Sequence, residues 1–291
     1  MKSQTLLLVM LFLQLSYSYA QKTILWKVEK EGASNSSYLF GTMHQVGNSF
    51  IDERPKIKEL LLQSDIAVFE SVEDKKKTII DVMNGRPDDF SYRDKLDKKD
   101  VQFLESLSAD WTVPVCKLTP AELAAKLEQL YVLNVCETTK PGDVWNHLDD
   151  YLLSLAVKNG IRNEGLETNA DQFKAINANQ IFDWNEAKED IDTRIKNLQE
   201  KRNKNQSCRI ARTYMGDMNF DYQFEVECAE DDPMLINRNR NWLPKIHETI
   251  KSNNAFVAVG LLHLFGDCGI ISDLRRQGYK VSPVPIQKNS Q

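Results

Sequence analysis

Apolar positions along the chain follow two spacings, one typical of strands and one typical of helices. Near the amino terminus, residues 23–29 alternate between apolar and polar side chains, and residues 38–41 and 66–70 are short apolar runs. Residues 255–259 and 279–284 form similar runs near the carboxyl terminus. Short apolar runs bounded by turn-forming residues are typical of buried β-strands. The pattern therefore predicts strands at both ends of the chain, with the first two runs joined as a hairpin.

Between these strands the apolar residues recur at helical spacing. The pattern predicts a helix that begins at Pro55, a mostly helical region over 74–160 and a strongly charged helical stretch over 170–204. Thr119 and Glu122 stand in the order of a capping box, which predicts a helix start. Further helices are predicted over 207–216, 234–252 and 269–278.

The order of these elements predicts the fold class. Strand, helix and strand follow one another over 38–70, which is the repeating unit of a sheet with crossover helices. We therefore predict an α/β (α+β) fold, in which a mixed β-sheet is flanked by helices and the middle of the chain is largely helical. Residues 21–291 are expected to form a single domain.

One short motif occurs twice, near opposite ends of the chain. Residues 41–47 and 260–266 both read G-x-x-H-x-x-G, and each follows an apolar run. In sheets with helices on their faces, ligands bind at the strand ends, and a Gly there lets the backbone turn or approach a ligand closely. The repeated motif therefore predicts that His44 and His263, two of only four histidines, converge on one site.

The first twenty residues have the composition of a secretory signal peptide. Lys2 precedes an apolar run over 6–13, and small residues precede a cleavage position after Ala20. We therefore expect an exported protein, periplasmic or extracellular, without an integral membrane segment after cleavage; an uncleaved anchor is the alternative. The formal net charge is −5 without a basic stripe, which argues against nucleic-acid binding.

The five cysteines are compatible with disulfides in an exported protein, and their odd number leaves at least one thiol unpaired. The sequence favours a Cys208–Cys228 pair first, because the two residues flank a polar, aromatic-rich insert. Cys116 with Cys136 is the next candidate. No C-x-x-C occurs, so a thioredoxin-type or zinc-ribbon site has no support.

Several motifs together resemble the TraB/PrgY/GumN family, which includes the Tiki proteases that act on secreted Wnt proteins. Their order and spacing span nearly the whole chain after residue 20. The resemblance implies a fold similar to that of the erythromycin esterase and ChaN-like proteins. The motifs are residues 38–44, 64–70, 165–168 with Gln172, Arg238 with Asn239, and 256–263 continuing to 281.

The same resemblance implies a site. In Tiki, the two G-x-x-H motifs and a glutamate are taken as a metal-dependent protease site, which corresponds here to His44, His263 and Glu70. Glu167 and Arg238 fall on further family motifs and become candidate site residues. The chain differs from Tiki in lacking a carboxyl-terminal membrane anchor, so a Wnt-type substrate does not carry over. It resembles the bacterial secreted members more.

Elementary chemistry is consistent with this set. Two neutral imidazoles and a carboxylate can hold a divalent transition metal such as Mn, Co, Fe or Zn, with positions left open for water and substrate. A second carboxylate, Glu70 or Glu167, would serve as general base, and Arg238 would stabilise an oxyanion. No H-E-x-x-H occurs, so a helical zincin is excluded. The expected function is a secreted metal-dependent hydrolase, acting on a peptide or protein.

Other interpretations remain open at this point. A non-enzymatic protein that holds haem or a peptide on the same histidines is the main alternative, since a haem site needs only an axial ligand and an apolar pocket. A metal-free esterase is a third interpretation, but it has no support because the sequence contains no G-x-S-x-G motif. The remaining histidines, His147 and His247, lie on polar helix faces and are predicted to be solvated surface residues.

Overall fold

The computed structural model describes residues 21–30, 32, 36–178, 183–228 and 231–288, so the predicted signal peptide lies outside the described residues. The strands are β1 (Gln21–Lys22), β2 (Leu25–Lys30), β3 (Ser36–Thr42), β4 (Ile66–Phe69), β5 (Arg162–Gly165), β6 (Asn219–Phe220), β7 (Ala255–Gly260) and β8 (Tyr279–Pro283). The first six helices are α1 (Ser49–Asp52), α2 (Pro55–Leu62), α3 (Lys75–Gly85), α4 (Tyr92–Lys95), α5 (Lys98–Leu107) and α6 (Pro120–Val135). The next six are α7 (Leu148–Lys158), α8 (Asn169–Ala178), α9 (Trp184–Gln199), α10 (Gln206–Met215), α11 (Ile236–Ser252) and α12 (Ile270–Arg276). Two 3₁₀ turns span Val115–Lys117 and Leu261–Leu264.

Six of the strands form one mixed sheet in the order β5-β4-β7-β3-β2-β8. The first four are parallel to one another, while β2 pairs antiparallel with both β3 and β8. Strands β1 and β6 form a separate antiparallel pair. The predicted α/β fold, with a mixed sheet flanked by helices and a largely helical middle, is therefore confirmed.

The parallel part of the sheet lies in the main hydrophobic core. All four residues of β4 and five of the six residues of β7 are buried. Apolar side chains from the flanking helices pack against it, among them Leu152 of α7 and Trp242 and Ile246 of α11. Strands buried on both faces read as continuous apolar runs, which is why the sequence predicted these two strands.

The helical middle of the chain builds a second hydrophobic cluster from α4, α5, α6, α9 and α10. The predicted capping box is confirmed at the start of α6, where the side chains of Thr119 and Glu122 each bond to the other's backbone nitrogen. The charged helical stretch predicted over 170–204 contains two helices, most of α8 and all of α9. Asp183 caps the second of them by accepting bonds from the backbone nitrogens of the next turn.

The predicted disulfides are wrong. Cys208 pairs with Cys136 across 72 residues, and Cys228 pairs with Cys268 across 40, at Cα–Cα distances of 4.8 and 5.9 Å. Proximity in sequence misled the prediction, because helix packing brings α10 against the end of α6. Cys116 is free. The two disulfides indicate an oxidising compartment. Within the described part of the chain, no helix has the length and apolar character needed to cross a membrane.

Candidate functional site

Four parallel strands end at the same edge of the sheet, and each is followed by a polar side chain. Glu167 follows β5, Glu70 follows β4, His263 follows β7 and His44 follows β3. Arg238, from the first turn of α11, contacts three of them. The structure therefore brings all five residues predicted from the sequence together, at the edge where ligands bind in sheets of this kind.

The glycines of the two G-x-x-H motifs permit this convergence. A Cβ on Gly41 would lie 2.7 Å from a methyl carbon of Leu261, so a Gly is needed where the 3₁₀ turn packs on β3. A Cβ on Gly260 would lie 3.1 Å from Oε1 of Glu70, 3.4 Å from Cδ2 of His263 and 3.7 Å from Nε2 of His44. The missing side chain of Gly260 thus leaves a small space around which the three predicted ligands lie.

His44 is held by a carboxylate. Its Nδ1 lies 2.6 Å from Oδ2 of Asp149, whose other oxygen accepts a bond of 2.7 Å from Thr42. The side chain of His44 is 39% exposed. Desolvation by the surrounding protein would lower the pKa of His44, but the carboxylates of Asp149 and Glu70 outweigh it and raise this pKa from 6.5 to about 9. Metal-free His44 is therefore an imidazolium at neutral pH.

His263 is held by an amide instead. Nδ2 of Asn239 donates to the carbonyl oxygens of His263 and Cys268, so Oδ1 of Asn239 faces Nδ1 of His263 at 2.7 Å. An amide oxygen only accepts, which places the proton on Nδ1 and leaves a lone pair on Nε2. Only 3% of His263 is exposed, and burial, with Arg238 nearby, lowers its pKa to about 3. His263 is therefore a neutral imidazole.

Glu70 lies between the two histidines as a buried carboxylate. Its Oε1 accepts a bond of 2.7 Å from the backbone nitrogen of Gly260 and lies 3.8 Å from Nε2 of His263. Its Oε2 accepts a bond of 2.6 Å from Arg238. Burial would raise the pKa of Glu70, but the positive charges of His44 and Arg238, with His263, lower it overall. Glu70 is therefore ionised.

Arg238 uses every N–H group of its guanidinium within the cluster. Nε and Nη2 donate to Glu167, Nη2 also donates to Glu70, and Nη1 donates to the Met234 carbonyl and to Nε2 of His263. A guanidinium has five N–H groups, and these contacts account for all of them. The oxyanion role predicted for Arg238 would therefore require one of these bonds to break.

Glu167 is equally committed. Its oxygens accept bonds from Arg238, at 2.5 Å from Nη2, and from Nε1 of Trp242, at 3.0 Å. The Trp242 ring also contacts the guanidinium and the ring of His263. Glu167 thus holds Arg238 in place, and this position does not suit the general base that the sequence also allowed.

Comparison with known protein families supports the arrangement. Residues 24–283 match the TraB/PrgY/gumN family, which covers most of the chain and every residue of the site. The chain belongs to the TraB/PrgY/gumN family. None of the curated proteins with which it was compared matches it.

Two residues beside His44 in this family member, His147 and Asp149, were not predicted from the sequence as candidate site residues. His147, predicted to be a solvated surface residue, stacks on His44 with ring centroids 5.4 Å apart, and its Nδ1 has no hydrogen-bond partner. Burial, followed by the charges of His44 and Lys75, lowers the pKa of His147 to about 4, against the opposing effect of Asp149. The spacing His147-x-Asp149 at a helix start was the available signal.

The prediction for His247 is also only partly correct. Its Nε2 lies 2.8 Å from a carboxylate oxygen of Asp273, and its ring stacks on Tyr279. The side chain is 24% exposed. His247 is therefore a partly buried residue whose ring nitrogen is engaged by Asp273, outside the candidate site.

Two sets of residues in this family member have the chemistry to hold a metal, and His44 belongs to both. Within the described ranges, one group of three residues has ligand atoms that all lie within 4.8 Å of one another: His44, His147 and Asp149. We call this group the outer set. The inner set, predicted from the sequence, consists of His44, Glu70 and His263, and surrounds the space beside Gly260. Imidazole and carboxylate donors of either set suit a divalent transition metal.

Proposed function

We propose that this protein is a metal-dependent hydrolase that cleaves peptide bonds, with the inner set as its metal ligands. The observation that carries the proposal is the matched orientation of the two histidines. Asp149 engages Nδ1 of His44 and Asn239 engages Nδ1 of His263, so Nε2 of His44 lies beside Gly260 and Nε2 of His263 lies 3.8 Å from Oε1 of Glu70. Arg238 donates to Nε2 of His263, and a metal bound there would replace this bond. Metal-binding histidines commonly have the ring nitrogen opposite the metal held by such an oxygen.

The donor set fits a catalytic centre better than a structural one. Two histidines and a glutamate leave coordination positions open for water and substrate, whereas structural zinc sites are filled by four protein ligands. A bound Mn, Co, Fe or Zn ion would polarise the scissile carbonyl and lower the pKa of a bound water. Binding at Nε2 of His44 requires the loss of a proton from that ring, so metal affinity is expected to rise with pH.

The side chains around the proposed metal position have different roles. Oε2 of Glu70 accepts bonds from Arg238 and Gln172, whereas Oε1 accepts one bond, from the backbone nitrogen of Gly260, and keeps a lone pair. Through Oε1, Glu70 can take a proton from an attacking water or ligate the cation. Glu167 has no such capacity and positions Arg238. Arg238 in turn fixes Glu70 and donates to Nε2 of His263. We therefore assign Glu167 and Arg238 to positioning.

The resemblance to the Tiki proteases supports a peptide substrate. The oxidising compartment is consistent with it, because other exported proteins are present there as substrates. Two large apolar side chains beside the histidines are exposed, namely Leu262 next to His263 and Trp145 close to His147. Such side chains can contact an apolar residue of a substrate. The haem-binding alternative has less support, because the cluster is ionic and His263 is buried behind Arg238.

The deciding experiment is bound-metal analysis by elemental mass spectrometry after purification without chelator. We expect near-stoichiometric metal in the parent protein and its loss in the His44→Ala, His263→Ala and Glu70→Gln variants. His147→Ala distinguishes the two sets, because it removes a ligand of the outer set only. His247→Ala is the matched control, since His247 bonds to Asp273 instead of a ligand of either set.

Peptidase activity is then measured on the same set of variants. A peptide library should be cleaved by the metal-loaded parent and by His247→Ala, and not by the variants that lose metal. If folded parent protein holds no metal after reconstitution with Mn, Co, Fe and Zn in turn, the proposal is wrong. If metal is lost in His147→Ala but kept in His263→Ala, the outer set is the metal site.

A further inference from the structure

The side-chain amide of Asn239 links His263 to Cys268, which forms a disulfide with Cys228. Asn239 donates bonds of 3.1 Å to the carbonyl oxygens of both His263 and Cys268, and accepts from Nδ1 of His263 at 2.7 Å. Asn239 is 3% exposed, so no water replaces these partners freely. The orientation of the amide, and with it the bond to Nδ1, therefore depends on where Cys268 lies.

The position of Cys268 is fixed by a neighbouring segment, residues 222–228. The backbone nitrogen of Gly266 donates to the Tyr222 carbonyl at 2.9 Å, and that of Asp267 donates to the Val226 carbonyl at 3.1 Å. The covalent bond between Cys268 and Cys228 completes the connection. Of these three links, only the disulfide is covalent and chemically reversible.

The two disulfides differ in their access to solvent. Cys136 and Cys208 are both buried in the helical cluster, whereas Cys228 and Cys268 are each partly exposed. Thiol–disulfide exchange needs a thiolate to reach a sulfur atom, so access controls its rate. A dithiol reductant should therefore open Cys228–Cys268 before Cys136–Cys208.

We propose that the Cys228–Cys268 disulfide acts through Asn239 as a reducible latch that positions His263. When the bond is intact, Asn239 keeps its contact with Cys268 and holds the Nδ1 proton of His263. When it is reduced, Cys268 is released, the amide loses its anchor and the His263 ring gains freedom. This deepens the proposed function, because His263 is one of its proposed ligands, yet the latch itself involves neither metal nor substrate.

The reduction is balanced by the dithiol. One thiolate of the reductant attacks a sulfur of the disulfide and forms a mixed disulfide, and the second thiolate then displaces the protein cysteine. Two electrons and two protons pass to Cys228 and Cys268, which become thiols, while the reductant becomes a cyclic disulfide. Reoxidation reverses the change.

The test is NMR of the imidazole Nδ1–H of His263 in the metal-free full chain at neutral pH. Asn239→Ala, the double variant Cys228→Ala/Cys268→Ala and the parent after mild dithiothreitol treatment should each exchange this proton with solvent at least about tenfold faster, the effect of losing one buried hydrogen bond. Peptide mapping identifies which disulfide has been reduced. The Nδ1–H of His44, held by Asp149, is the reference within each sample.

The double variant Cys136→Ala/Cys208→Ala is the matched control, because it also removes one disulfide but lies in the helical cluster. We expect it to leave the His263 exchange rate unchanged. The latch is disproved if reduction confined to Cys228–Cys268 leaves that rate unchanged, or if both cysteine pairs accelerate it equally. If His263 responds as expected but the protein binds no metal, the proposed function fails and the latch stands.

Discussion

The surroundings of His44 and His263 differ more than their shared motif would indicate. Both histidines stand three residues after a Gly that follows an apolar run, and their strands are neighbours in the sheet. His44 is 39% exposed beside Asp149, and its pKa is raised to about 9. His263 is buried beside Asn239 and Arg238, and its pKa is lowered to about 3.

The difference shows that local sequence delivers an imidazole to the site, while tertiary partners decide its charge. A carboxylate at Nδ1 favours the imidazolium, whereas an amide oxygen with a guanidinium at Nε2 favours the neutral ring. The metal-free site therefore contains one charged and one neutral histidine around Glu70. A cation bound by the inner set would replace the proton of His44 but compete with Arg238 at His263.

The largest expected effect comes from filling the space that both histidines share. Gly260→Ala should lower metal affinity by about 100-fold, the size of effect seen when the support of metal ligands is lost, because its Cβ would lie within 3.7 Å of atoms of Glu70, His263 and His44. The backbone there, with φ −52° and ψ 135°, accepts an Ala, so the variant should fold. Calorimetric titration with Mn or Zn measures the change.

Gly85→Ala is the control for this substitution, because a Cβ at Gly85 would meet nothing within 4 Å. Its metal affinity should equal that of the parent. Unchanged affinity in folded Gly260→Ala would mean that the metal does not lie between the two histidines.

A smaller effect is expected on the pKa of His44 alone, without a change at His263. Asp149→Asn removes the carboxylate that raises the pKa of His44, so this pKa should fall from about 9 towards or below its usual value of 6.5. His263 does not contact Asp149 and should stay neutral over the same range. NMR titration of the ring protons of the metal-free protein reads both at once. An unchanged pKa of His44 in this variant would show that another group holds the proton.

The smallest expected effect is on stability against pH in the metal-free protein. His44 binds its proton more tightly in the folded state, so its contribution is complete below pH 6.5 and is lost as the pH rises through about 9. His263 binds its proton less tightly in the folded state, so its contribution is complete above pH 6.5 and is lost as the pH falls towards about 3.

Denaturant unfolding across this range tests both signs. His44→Gln should flatten the alkaline limb of the parent's stability curve. It should also weaken the acid limb, because the charge of His44 lowers the pKa of Glu70. His263→Gln should weaken the acid limb and leave the alkaline limb unchanged, because the His263 ring is neutral at alkaline pH. An alkaline limb that persists in His44→Gln, or is lost in His263→Gln, would contradict the assignment of the two charges.

Much of the fold was predictable because its signals are local. Strands β4 and β7 are buried on both faces and read as apolar runs, and the capping box at Thr119 needs only four residues. Strand β5 gave no such signal, since Arg162–Gly165 is polar and pairs at the edge of the sheet. In the charged stretch after residue 170 the helical spacing was a local signal too, and the cap at Asp183 marks where α9 begins.

The sequence by itself determined which strands deliver chemistry and, with the family motifs, named His44, Glu70, Glu167, Arg238 and His263. Only the tertiary structure decided what these residues do there. It placed Asp149 and His147, at the start of α7, beside His44, and it paired Cys268 with Cys228. It also engaged every N–H group of Arg238 and both oxygens of Glu167 in hydrogen bonds. Charge state, hydrogen-bond capacity and disulfide pairing depend on distances between residues far apart in the chain, and packing alone sets those distances.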